Sequence, residues 1–116
     1  MLTEPLALVI SMAVEAPIAY LIVRFAKWPC RGALHAGAAS AVATAVTHPQ
    51  LWFNLVPWLS DQMGYWASVA LAEILVVLVE GCLIAWMAEL KLQRAMLVSL
   101  VANAASFAAG VIFSFA

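Results

Sequence analysis

Glu15, Glu73 and Glu80 stand inside long apolar runs, and the stretch EILVVLVEG over 73–81 sets two of them seven residues apart among Ile, Leu and Val. At that spacing two side chains are nearly in line on a helix, so Glu73 and Glu80 share one face, roughly 10 Å apart along the axis. A carboxylate at hydrocarbon depth carries an insertion penalty of about 2.5–3.5 kcal/mol, and such residues are rare unless they do something. Apart from Arg24 at the very end of the first, no Lys or Arg lies inside these apolar runs. Three remedies are therefore open: the carboxyls carry a proton, they coordinate a cation, or His48 becomes the partner of one of them. Each remedy involves a proton or a positive ion, and each argues against an anionic substrate.

Other polar residues fall into register with the glutamates. Ser11 and Glu15 are four apart, and Ser40, Thr44 and His48 follow one another at steps of four. Ser99, Asn103, Ser106, Gly110 and Ser114 form a single polar and small stripe on the last apolar segment. Each segment thus brings one polar stripe, best satisfied when the stripes face one another. A rise of roughly 1.5 Å per residue sorts them by depth: Glu15, Glu80 and Asn103 at an inner level, Glu73 and His48 at an outer one. Glu15, Glu73, Glu80, His48 and Asn103 are the expected proton- or cation-binding residues, with Ser106, Thr44 and Ser11 in support. Pro17 follows Glu15 by two, and Pro49 follows His48 directly. A mid-helix proline frees the carbonyl four residues earlier, here Ala13 and Ala45, so the prolines are expected to kink their helices beside a cavity.

Carboxylates and an imidazole suit Mn, Fe, Zn or harder cations. Glu73, Glu80, His48 and Glu15 are accordingly the candidate ligands for a divalent metal assembled across helices; the identity of any metal stays open. There is no HExxH or CxxC motif. A haem held by two histidines is not expected, since His35 and His48 share one helix and differ in depth by roughly 20 Å. Cys30 and Cys82 lie at different depths and are not expected to pair.

These residues need elements to hold them, and composition says which. Of 116 residues, 67% are hydrophobic and only 9% charged, too few polar groups to cover a soluble domain of that size. About 20 apolar residues make one helical membrane span, and four can be drawn, over about 5–25, 32–58, 62–88 and 95–116. Short connections between them predict an all-α, integral membrane, up-and-down four-helix bundle, a single domain over 1–116 with helices 1 and 2 kinked at Pro17 and Pro49. MLTEP carries no basic residue ahead of the first apolar run, the reverse of a signal peptide, so that run is read as a permanent helix.

All five basic residues, Arg24, Lys27, Arg31, Lys91 and Arg94, fall in or at the very edge of the first and third connections. Under the positive-inside rule these connections are cytoplasmic and both termini lie outside, in a cell membrane of the bacterial inner-membrane kind. Trp28 and Trp86 near the inner boundary and Trp58 and Trp66 near the outer one match interfacial belts. Length, four helices and Glu15 midway along the first resemble the small multidrug resistance transporters in outline. The complete charge bias and the two further glutamates depart from their single-carboxylate pattern, and their function is not carried over.

The expected partners are the lipid bilayer and a proton or small cation, not nucleic acid, with self-association or a larger membrane complex left open. Transport of a proton or metal ion is the leading expectation. An accessory or assembly subunit of a larger complex comes second. An intramembrane (metallo)enzyme using Glu and His as acid, base or ligand ranks last, because no nucleophile stands at a telling spacing.

Overall fold

A computed structural model describes residues 4–114, and among these the backbone is helical almost throughout, with no strand. The elements are α1 (Glu4–Ala26), α2 (Ala33–Gln50), a π-helical turn (Leu51–Leu55), α3 (Val56–Met63), α4 (Tyr65–Ala88) and α5 (Leu92–Ser114). Leu51, Leu55 and Val56 all keep right-handed helical dihedrals. The segment from α2 through the π turn to α3 is therefore one helical rod, and the described residues form four rods. The last two residues of the expected fourth span lie outside the described residues.

Three stretches are long and apolar enough to cross a membrane: Pro5–Ala26, Tyr65–Ala88 and Leu92–Phe113. The α2 rod is different in kind. Its 18 residues, ALHAGAASAVATAVTHPQ, are mostly small, with Ser, Thr and His among them. The buried positions Ala36, Gly37, Ala39, Ser40, Ala43, Thr44 and Thr47 turn the small and hydroxylic face inward. Large apolar side chains point out instead: Phe25, Leu34 and Trp86 are each at least three-quarters exposed.

Helix ends follow from local backbone chemistry. Lys27 and Glu89 adopt left-handed dihedrals at φ 57° and 54°, and the Leu90 amide bonds back to the Ala85 carbonyl at 3.1 Å, as helix C-termini commonly do. The expected connection at 59–61 is helical, a correction to the span boundaries. Leu59 is buried and packs with Leu51, Ala72 and Val76, which holds that turn in place. The break comes at Gly64, whose φ of 84° a residue without Cβ adopts readily.

Both prolines lie within helices. α1 runs through Pro17 without interruption, and Pro17 and Ala13 lie on the exposed face. Ala45 is exposed as well. The positions of the two freed carbonyls thus face away from the interior, because a proline two residues past an inward Glu15, or one past His48, falls on a different helix face.

Rod packing is pairwise around a ring: α1 lies against α2 and α5, and α4 against α5 and α2. At one end, the 27–32 connection sits on the 89–91 connection. The Arg31 amide donates to the Ala88 carbonyl at 2.8 Å, the Arg31 guanidinium pairs with Glu89 at 3.5 Å, and Arg94 stands over the Trp28 ring at 5.4 Å. All the basic residues consequently gather at this end. Beneath them is an apolar core that includes Ala19, Val23, Ala36, Ile84, Ala95 and Val98. Small residues permit the close approach. A Cβ at Gly37 would meet the Ala16 carbonyl oxygen at 3.2 Å, and one at Gly81 would run into the Met96 sulfur.

Candidate functional site

The polar stripes of all four rods converge just beyond that core. Glu15 from α1 and Glu80 from α4 are each only 2% exposed, and their carboxyl groups lie against one another. Thr44 and Thr47 come from α2: the Thr44 hydroxyl is 3.3 Å from Glu80 Oε1, and that of Thr47 is 2.9 Å from Glu80 Oε2. Asn103 of α5 lies against Glu80, while Ser106 and Thr44 lie against Glu15. The α5 stripe is held in turn by its own bonds. Ser99 donates to the Val77 carbonyl of α4 at 2.8 Å, Asn103 Nδ2 to the Ser99 carbonyl at 2.8 Å, and Ser106 to the Asn103 carbonyl at 3.1 Å.

The two threonines have a choice of acceptor. Thr44 Oγ1 is also 2.9 Å from the Ser40 carbonyl, and Thr47 Oγ1 is 2.9 Å from the Ala43 carbonyl. A hydroxyl has one proton to give and two lone pairs to receive with. Turned to the carboxylate, it stabilises a charged Glu80; turned to its own backbone, it accepts from a protonated one. The same cradle fits both forms of Glu80 without moving a heavy atom. Two buried side-chain oxygens, Glu15 Oε1 and Ser40 Oγ, have no hydrogen-bond partner among the described residues.

Above the pair opens a cavity of about 520 Å³, and its lining includes every residue expected from the sequence: Glu15, Glu73, Glu80, His48 and Asn103, with Ser106, Thr44 and Ser11. Glu73 and His48 are half-buried in its wall, and Glu73 is near enough to Glu80 for their charges to interact. The other walls are apolar, among them Ile10, Leu51, Val69, Phe107 and Val111. No Lys or Arg lines it.

The four metal candidates are not gathered into a ligand set. Among the described residues, no three His, Cys, Asp or Glu side chains come together as metal ligands would. Glu73 sits two helical turns from Glu80 on the same rod, and one rod cannot fold both onto a single ion. His35 is exposed, Cys30 is half-buried, Cys82 is exposed, and both cysteines are free.

Thr47 is the residue that reading by fours passed over. It makes the shorter of the two threonine contacts to Glu80, and it stands three residues beyond Thr44, a spacing that also keeps to one helix face. Tyr65 lines the cavity too, as does Trp66, expected only as an interfacial anchor; their rings meet edge to face at 5.1 Å. No family model, curated protein or solved structure matches this chain.

Proposed function

We propose that this chain is a small multi-pass membrane protein whose Glu15–Glu80 pair binds a proton or small cation and passes it across the bilayer. The observation that carries the reading is the pair itself: two carboxyls from different rods, buried against each other, in a cavity that no Lys or Arg lines. Two like charges in contact at low dielectric repel by several kcal/mol, and each alone is costly at this depth. A proton shared between them, or a cation between them, removes both penalties at once. Thr44 and Thr47, able to turn either way, make Glu80 equally at home in its loaded and unloaded states. Asn103 and Ser106 hold the partner oxygens in place.

In this reading the four rods form an up-and-down bundle, kinked at Pro17 and Pro49, with the α2–α3 rod as the fourth span. The basic end faces the cytoplasm and both termini face outward, as the positive-inside rule requires, in a bacterial inner membrane. Glu73 and His48, further up the cavity wall, serve as the stations between the pair and the outer water. The π-helical turn after His48 is the kind of helix irregularity often found at functional sites.

The test is flux. Purified protein in sealed liposomes, driven by an imposed pH or cation gradient, should carry current that Glu80→Gln or Glu15→Gln abolishes. Wild-type protein that carries nothing, or Gln variants that carry as much, would overturn the proposal. Flux that appears only with a co-purifying partner would instead assign the chain to a larger complex as an accessory subunit.

A further inference from the structure

The cavity is much larger than the ion just proposed for it. About 520 Å³ lies within the range of small-organic-molecule pockets, which run from about 300 to 1,000 Å³, whereas a proton needs no space and a bare cation very little. Chemistry changes along its length. The deep end holds Glu15, Glu80, Thr44 and Asn103, all buried, and the orphan acceptor Glu15 Oε1. The shallow end is bordered by Tyr65, Trp66, Phe107 and Val111, which are exposed. Between them the wall is apolar, with Ile10, Leu51 and Val69. On the far side of the carboxyl pair, the small-residue core seals the basic end.

We propose that the cavity, closed toward the basic end in this conformation, is a site for an amphiphilic amine, with its N–H-bearing ammonium head on the Glu15–Glu80 pair and its apolar body along the wall toward Phe107. The inference rests on the carboxyl pair being a cation site, and it names the occupant. Three features select the head group. The uncompensated acidic pair asks for positive charge. The unpartnered Glu15 oxygen asks for a hydrogen-bond donor, since a buried acceptor left unmade costs free energy. The aromatic side chains stand at the mouth rather than around the floor, so the cage that quaternary ammonium groups favour is not built where the charge would sit. A primary or secondary amine meets all three conditions; a quaternary one meets only the first.

The probes are n-octylammonium, n-octyltrimethylammonium and n-octanol, which share one tail. Binding to wild-type protein in nanodiscs is followed by calorimetry, with empty nanodiscs as the partition control. The expected result is saturable binding of n-octylammonium at least ten-fold tighter than either other probe. Glu15→Gln and Glu80→Gln should abolish it. Gly110→Phe, which adds bulk where a Cβ meets nothing within 4 Å on the cavity lining, should weaken it at least ten-fold. Equal binding of the trimethyl compound or the alcohol overturns the head-group assignment, and this comparison needs no variant that has to fold. Liposome flux is measured on the same preparation. Flux without amine binding leaves the ion site standing and removes the amine; amine binding without flux retains the occupant and removes transport.

Discussion

Ala36, Gly37 and Ala39 on α2, and Thr44, Thr47 and His48 a little further along the same helix, build two different kinds of interior. In the first region the side chains stop at a methyl group or less, α1 comes within van der Waals reach of the α2 backbone, and Ile84 and Val98 fill what space remains. In the second, the same pair of rods is spaced by hydroxyls and carboxyls, and the interior opens into a cavity. Lipid offers no hydrophobic drive for helices to associate. Close packing at the basic end supplies that drive, which lets the other end stay open. The packed half offsets the free-energy cost of leaving the other half open.

That contrast can be broken at several points, in descending order of effect. Glu80→Gln takes one charge from the open half and leaves the sealed half untouched; ion flux in liposomes should vanish while circular dichroism stays helical. Ile84→Ala does the reverse. In a soluble core such a truncation costs about 2–5 kcal/mol, but lipid removes most of the transfer part, leaving a packing loss of about 1–2 kcal/mol. It should lower the unfolding midpoint in a mixed-micelle titration and leave flux per folded molecule unaltered. A leak appearing in Ile84→Ala would show that this core is the seal, a sharper result than stability alone.

Thr47→Val comes next. It removes a donor 2.9 Å from Glu80, leaves the charged, unloaded carboxyl less well satisfied, and should tighten ion binding by about ten-fold, or about 1.4 kcal/mol. Thr44→Val, at 3.3 Å, should tighten it less. If the two were equal, or Thr44 the larger, the distance ordering of the cradle would be wrong. Smallest of all is Arg31→Ala. Its pair with Glu89 is exposed, with side chains 52% and 70% accessible, and should be worth no more than about 0.5 kcal/mol. A larger loss in the micelle titration would mean that the two basic connections are held together by more than that contact.

Much of this molecule was readable along the chain, for a physical reason. Helix formation in an apolar chain is local: each backbone group must be bonded within its own segment, so long runs such as 65–88 declare themselves. The polar stripes follow from helical periodicity alone, and Glu15, Glu73, Glu80, His48 and Asn103 could be named because ionisable or amide groups are rare in such runs. The complete clustering of Arg and Lys in two connections was equally plain. Breaks were harder to place. Gly64 ends a helix where 59–61 was expected to, because the choice depended on Leu59 finding Leu51 and Ala72 to pack against, contacts between residues distant in sequence.

Spacing assigns a residue to a face and a depth, but not to a neighbour. That Glu15 meets Glu80 while Glu73 stands apart is set by how each rod is rotated and which rods adjoin, and only the tertiary structure decides that. It also decided that Thr47 reaches Glu80, that Pro17 looks outward, and that no three His, Cys, Asp or Glu side chains come together among the described residues. The reason is the same in each case. A helix fixes its own geometry from within, but the meeting of two helix faces depends on the packing of small residues such as Gly37 and Gly81, which leave little trace in the sequence pattern of the site they position.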